Sequence, residues 1–207
     1  MSCKFLRRII TALVVAALAA ACSTPEPPQL QQATLLPSAK PIADFHLSDQ
    51  RGQPFTLANL KDRWTLAFFG YTHCPDVCPT TMAVLAQVMK ILQQDRDPAE
   101  LPQVVFFSVD PQRDTPQQLA RYVPYFDDRF VGVTGAEQQI AQLTGQLGIL
   151  YARVDDGGAD DYLVDHSAAI VLFDPAGRFH ALFNVPHTPA LIAADFLAIK
   201  SYYEALK

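Results

Sequence analysis

The sequence predicts an α/β fold: a mixed β-sheet flanked by helices, with an N-terminal hairpin and an inserted loop or hairpin before the His166 strand. Three observations predict it. Two continuous apolar runs, residues 64–69 and 104–109, read as strands buried on both faces. Segments with apolar residues spaced by three and four, the period of an amphipathic helix, alternate with the strands. The 207 residues, 50% hydrophobic and 18% charged, suffice for one substantial core and lack the composition of a disordered or fibrous chain.

Taken in order, residues 45–57 carry Asp49-Gln50-Arg51-Gly52, a turn signal between two short apolar segments, which predicts a hairpin. After the strand at 64–69, a helix follows Pro79, because Met82, Leu85, Met89 and Leu92 fall on one face. After the strand at 104–109, Thr115 caps a second helix, Pro116 fits its first turn and Gln118 closes a capping box. Residues 130–133 form a short strand. Thr134 and Glu137 suggest another capping box ahead of Ile140, Leu143 and Leu147. Strands at 151–154 and 168–173 flank a Gly/Asp-rich loop, and Asp174-Pro175-Ala176-Gly177 turns the chain back into a strand at 178–183. Thr188-Pro189 opens a final helix carrying Ile192, Phe196, Ile199 and Tyr203. A thioredoxin-like core behind the N-terminal hairpin accommodates this order.

The first residues read as an address. Lys4, Arg7 and Arg8 precede an apolar run over residues 9–21, which is too short for a membrane span of about 20 residues and fits the core of a signal peptide. The run ends Leu18-Ala19-Ala20-Ala21-Cys22, and small residues before a cysteine resemble a bacterial lipoprotein signal in which Cys22 is lipidated. Ordinary cleavage after the alanines, or an uncleaved anchor, are the alternatives. The expected organisation is therefore a signal peptide at 1–21, a lipidated cysteine and Pro/Gln-rich tether at 22–41, and one domain at 42–207. Processing removes three basic residues and no acidic one, which moves the balance from -5 to -8. With no Lys/Arg cluster beyond residue 8, the charge pattern excludes a nucleic-acid groove. Cys3 leaves with the signal, so Cys74 and Cys78 are the thiols of the domain.

Those thiols lie in Phe69-Gly70-Tyr71-Thr72-His73-Cys74-Pro75-Asp76-Val77-Cys78-Pro79, between a buried strand and a helix. Ligands of open α/β sheets sit at this carboxyl edge. A cysteine at a helix N-terminus meets free N–H groups and the positive end of the dipole, which favour thiolate. Residues four apart on a helix share a face with Cβ atoms roughly 5–6 Å apart. That separation allows two thiolates on one metal, and also a disulfide. The histidine best placed to join them is His166, in Val164-Asp165-His166-Ser167, provided the strand after it lies beside the first core strand. His73 adjoins Cys74 but points away, so it ranks as a supporting neighbour. His46, His180 and His187 fall in hairpins or turns. Two thiolates and one imidazole form a soft, low-coordinate set that suits Cu(I), with imidazole also suiting Cu(II), whereas structural zinc usually takes four protein ligands. A structural disulfide across so short a loop would stabilise little.

At these residues the sequence resembles the Sco/SenC family of copper-binding, thioredoxin-like assembly factors for cytochrome c oxidase. The resemblance is carried by the cysteine segment above and by Ser108-Val109-Asp110-Pro111-Gln112-Arg113-Asp114-Thr115-Pro116. Val164-Asp165-His166-Ser167 and Phe173-Asp174-Pro175-Ala176-Gly177 follow in family order. It implies one copper, Cu(I) or Cu(II), bound by Cys74, Cys78 and His166. It also implies delivery to, or thiol maintenance of, the dinuclear copper site of cytochrome c oxidase subunit II or another copper acceptor. The anchor departs from the family pattern, in which many members keep a transmembrane helix: the sequence here predicts a lipid anchor in the bacterial cell envelope, with a periplasmic copper donor and, from the charge pattern, no nucleic acid. Asp110 is expected mainly as a turn and helix-cap residue, with Asp110 or Arg113 shaping partner docking as the alternative. Asp165 is expected to orient His166 through its second ring nitrogen.

The main rival is a thiol-disulfide oxidoreductase in which Cys74 and Cys78 are the redox pair and His166 is dispensable. The three-residue gap between the cysteines and the lack of a proline directly before residue 168 argue against it. A thiol peroxidase, suggested by Thr72 and Cys74, has one residue too few between them.

Overall fold

The computed structural model describes residues 25–94, 97–154 and 162–207. The expected signal peptide and the lipidation site Cys22 lie outside the described residues. Residues 30–196 form one compact unit. Its frame is an eight-stranded mixed sheet and a separate two-stranded ribbon. The strands are β1 (Ala33–Lys40), β2 (Leu47–Asp49), β3 (Pro54–Phe55), β4 (Thr65–Gly70), β5 (Gln103–Ser108), β6 (Val131–Thr134), β7 (Tyr151–Val154), β8 (Leu163–His166), β9 (Ile170–Phe173) and β10 (Phe179–Phe183). The helices are α1 (Val77–Gln93), α2 (Pro116–Tyr122), α3 (Glu137–Leu147) and α4 (Pro189–Ala205).

In the large sheet the order is β1-β10-β9-β4-β5-β6-β2-β3, and among the described residues β7 pairs only with β8. β4, β5 and β6 are parallel neighbours, each followed by a helix, while β9 runs antiparallel against β4. All six residues of β4 are buried, as a continuous apolar run between two paired neighbours requires. Phe69 and Phe107 stack at 5.0 Å between ring centroids, and Phe45 and Phe55 of the N-terminal hairpin meet Phe107 edge-on. Burying each such ring is worth roughly 1.5–3 kcal/mol, so the hairpin is fixed to the sheet by its aromatics. Its turn follows the sequence: Gly52 adopts φ 75°, and the Asp49 carboxylate accepts from the backbone N–H groups of Arg51 and Gln53.

The helices also follow their local signals. Met82, Leu85, Met89 and Leu92 of α1 are buried, and the Thr115 hydroxyl caps α2 by accepting from Gln118 N–H at 3.2 Å. Three expectations differ. Residues 33–40, read as tether, pair with β10, so the sheet begins ahead of the expected boundary at Ile42. Thr134 belongs to β6 and caps nothing: Ala136 occupies the N-cap of α3 without a side-chain bond. His166 ends the second strand of the β7–β8 hairpin, so the insertion carries the histidine within it.

The remaining described residues, 25–29 and 197–207, form a second small unit, in which α4 ends and the Lys207 ammonium lies 4.8 Å from the Tyr203 ring centroid.

Candidate metal centre

β4 delivers the chain to Gly70 at its carboxyl end, and residues 71–76 lead into α1. Gly70 is required there by close approach: a Cβ at this position would sit 2.6 Å from Cys78 Sγ. Cys78 is fully buried in the first turn of α1, with Cys74 and His166 partly exposed. The Cys74 sulfur accepts from the Cys78 N–H at 3.4 Å, so it caps a helix whose N-cap residue Asp76 makes no side-chain cap bond. His166 arrives from the other direction. β9 pairs beside β4 with Phe68 opposite Ile170, and four residues before Ile170 the imidazole reaches the same edge. Its Nε2 lies 3.2 Å from Cys78 Sγ. One ligand atom from each of Cys74, Cys78 and His166 lies within 4.8 Å of the others.

Protonation follows from this geometry. His166 Nδ1 lies 3.2 Å from the Ser167 carbonyl, which can only accept, so Nδ1 carries a hydrogen and Nε2 is the ring nitrogen that faces the sulfurs. The two thiols are inequivalent. A hydrogen bond from Cys78, together with the backbone N–H groups of Asp76 and Cys78, lowers Cys74 to about 4 against the opposing effect of burial. Its thiolate and the loss of water together push Cys78 upward. The resting pair is therefore one partly exposed thiolate beside one buried thiol.

The cluster fits a metal. Three donors around one ion with bonds of about 2.0–2.3 Å stand roughly 3.5–4.0 Å apart in a trigonal set, so side-chain shifts of less than about 1 Å close it. Two sulfurs and one imidazole nitrogen form a soft donor set, one short of the usual structural zinc site.

The other expected residues are placed differently. His73 is half exposed, with Nδ1 3.1 Å from Thr72 Oγ1 and 3.9 Å from Asp114, outside the cluster. Asp165 is exposed on β8, and the Ser167 carbonyl takes the role of orienting His166 that was expected of Asp165. Consecutive strand residues point to opposite faces, which is why an Asp next to a His cannot easily reach it. Asp110 is buried. Its carbonyl accepts from Arg113 and Asp114 N–H, making the expected turn, but Thr115 does the capping, and its carboxylate faces Arg113 and Tyr162. His46, His180 and His187 lie elsewhere: His180 pairs with Asp174 and His187 Nε2 with the Ala168 carbonyl.

The sequence reading missed Tyr71 and Asp114. The Tyr71 ring stands edge-on to His166 at 5.8 Å, with Phe68 at 5.9 Å. Asp114 is fully buried and accepts from Thr72 N–H, Thr72 Oγ1 and Ser108 Oγ, tying the cysteine loop to the end of β5. Its available signal was an acid between Arg113 and the cap Thr115, one residue beyond the Asp110 turn.

The family profile described as SCO1/SenC matches residues 34–201. The mouse mitochondrial SCO2 homologue is 40% identical over 179 residues, covering 84% of this chain and 70% of that protein. A SCO2-like protein of Rickettsia felis is 38% identical over 169 residues, covering 80% of each. The copper-bound structure of Bradyrhizobium japonicum ScoI superposes with a TM-score of 0.68 at 39% identity, covering 78% of this chain and 99% of that one. A thioredoxin-like mixed sheet with a Cys-Cys-His cluster at its edge, matched over nearly its whole described length, makes this chain a member of the SCO1/SenC family.

Proposed function

We propose that this protein is a copper carrier that holds one copper through Cys74, Cys78 and His166 and passes it to the dinuclear copper site of cytochrome c oxidase subunit II or a similar acceptor. The observation that carries the reading is the convergence of two sulfurs and one ring nitrogen within 4.8 Å. Two of the three donors are partly exposed, so a partner's ligand has an approach to the ion, which suits transfer better than storage. Cys78 gives up its proton on loading, and uptake is accordingly favoured as pH rises. In the same reading residues 1–21 are a signal peptide, Cys22 carries the lipid, and the domain faces the periplasm and draws copper from a donor there.

The experiment is an anaerobic copper titration of the reduced protein, followed in the thiolate charge-transfer region. One copper per chain is expected. Replacing either cysteine by Ser should abolish tight binding, and His166→Ala should weaken it by at least about tenfold. An affinity unmoved by His166→Ala overturns the carrier reading.

A second reading, reduction of the acceptor's cysteines, is favoured by one observation, the paired low and high thiols. Cys74 would attack the acceptor disulfide as thiolate and Cys78 would resolve the mixed disulfide, leaving the acceptor dithiol and a Cys74–Cys78 disulfide. That activity survives His166→Ala, whereas copper transfer does not.

A further inference from the structure

β7 and β8 form a ribbon of their own, paired to no other strand among the described residues. A two-stranded ribbon is marginal by itself, yet this one must hold His166 at a fixed distance from Cys78. The Tyr151 hydroxyl ties β7 to Glu137, and a tie nearer His166 in the sequence is Tyr162, the residue before β8. Its ring is buried, and its hydroxyl donates to Asp110 Oδ1 at 2.6 Å. Asp110 lies in the loop after β5, and its other carboxylate oxygen accepts from Arg113 Nε. The Arg113 guanidinium carbon sits 3.6 Å from the Tyr162 ring centroid, and that of Arg153 on β7 sits 3.7 Å from the same point. Two guanidinium carbons this close to one centroid cannot share a face, so the ring is clamped between them. Arg113 also lies 5.5 Å from the Tyr71 ring, which stands edge-on to His166.

We propose that Asp110, Arg113 and Tyr162 are positioning residues: a latch that seats the β7–β8 ribbon on the loop after β5 and thereby sets His166 Nε2 against Cys78. None of the three belongs to the Cys-Cys-His set. Three residues separate Tyr162 from His166, and these and His166 itself are all in register with β7, so displacement of one end is carried to the other. The pattern Asp110-Pro111-Gln112-Arg113 thus finds its purpose in the histidine rather than in the helix that follows it.

The inference rests on His166 being a metal ligand, so the test separates the two claims. Tyr162→Phe keeps the clamped ring and removes only the hydroxyl. In the metal-free full-length protein, NMR of the His166 ring reads the latch directly, through its contacts with Phe68 and Tyr71. Those contacts should weaken in Tyr162→Phe, and unchanged contacts overturn the latch. Copper(I) affinity should fall about fivefold in Tyr162→Phe and should not fall further when Tyr162→Phe is added to His166→Ala. Equal losses in both backgrounds overturn the latch, because the effect then bypasses His166. If the ring contacts weaken but His166→Ala leaves affinity unchanged, the latch stands and the ligand reading falls. Asp110→Asn, which keeps the shape and an acceptor, should give the same changes in smaller measure.

Discussion

The chemistry of this molecule is concentrated in a difference between two cysteines four residues apart. Cys74 lies in the loop ahead of α1, accepts the N–H of Cys78 and is partly exposed, while Cys78 is sealed in the first turn of α1. Hydrogen bonds from Cys78 and the backbone hold Cys74 at about 4, where a free thiol would stand at 9.0. A lowered pKa means thiolate at every pH above it, so Cys74 stays reactive far into the acid range. With limiting iodoacetamide at pH 6, peptide mapping of the reduced metal-free protein should place nearly all label on Cys74. The labelling rate should stay level on acidification and fall only as pH drops through about 4. Equal labelling of both residues, or a rate that halves near pH 9, would show that the asymmetry is wrong. Because nucleophilicity falls with pKa, the plateau rate should be modest, and selectivity is the measurement that decides. In the carrier reading copper would profit from the same arrangement: Cys74 would need no deprotonation, and Cys78 would surrender a proton only on loading.

At the scale of elements, the turn from β9 to β10 shows how much stability one carboxylate can carry away from the site. Asp174 is fully buried, which by itself would raise its pKa, but hydrogen bonds from His180 and Arg178 prevail and lower it from 3.8 to about 2. It also accepts from the N–H groups of Ala176 and Arg178, so the whole turn is built on it. A depressed carboxylate stabilises the fold fully above its unfolded value and loses that contribution as pH falls through the folded one. Asp174→Asn should therefore cost about 2 kcal/mol in urea denaturation at pH 7, with the gap to wild type constant down to about pH 4 and closing between 3.8 and about 2. Copper affinity should not change, since the turn lies at the end of β9 opposite to His166. This turn was legible in the sequence because Asp-Pro-x-Gly has one conformational meaning, and the α1 and α2 faces were legible from periodicity and capping. The misread elements lacked such signals. β1 is an edge strand with Pro37 inside it and no buried side chain, held by backbone pairing that leaves no apolar pattern. Thr134 and Glu137 had the spacing of a capping box, but β6 runs one residue further than expected and consumes the threonine. The three side chains of the cluster were legible because the cysteines lie just before and within the first turn of α1 and the histidine ends β8. The latch was not, because Asp110 and Tyr162 are 52 residues apart and meet only in three dimensions.

For the molecule as a whole, the register of the strands decides where the tether joins. Phe68 of β4 pairs with Ile170, Ile170 with Phe183, and Phe183 with Ala33, so the first residue of β1 lies at the same end of the sheet as Cys74 and His166. The entry is clasped there: the buried Asp195 carboxylate accepts from the backbone N–H groups of Gln31, Gln32 and Ala33 at 2.7–3.1 Å. With Cys22 as the lipid anchor, the eleven residues from Cys22 to Ala33 span at most about 40 Å fully extended. The metal end of the sheet is then the end held near the membrane, where an acceptor in an integral oxidase subunit would wait. Effective concentration under such a tether falls roughly as the −3/2 power of its length. Doubling residues 23–32 with a Gly/Ser insertion should leave copper affinity in solution unchanged and lower the rate of oxidase copper loading in membranes about threefold. Releasing the domain by Cys22→Ser should lower it further at equal amounts of protein. Loading that is indifferent to both changes would mean that the acceptor is met from bulk solution and that the shared end of tether and metal site has no part in delivery.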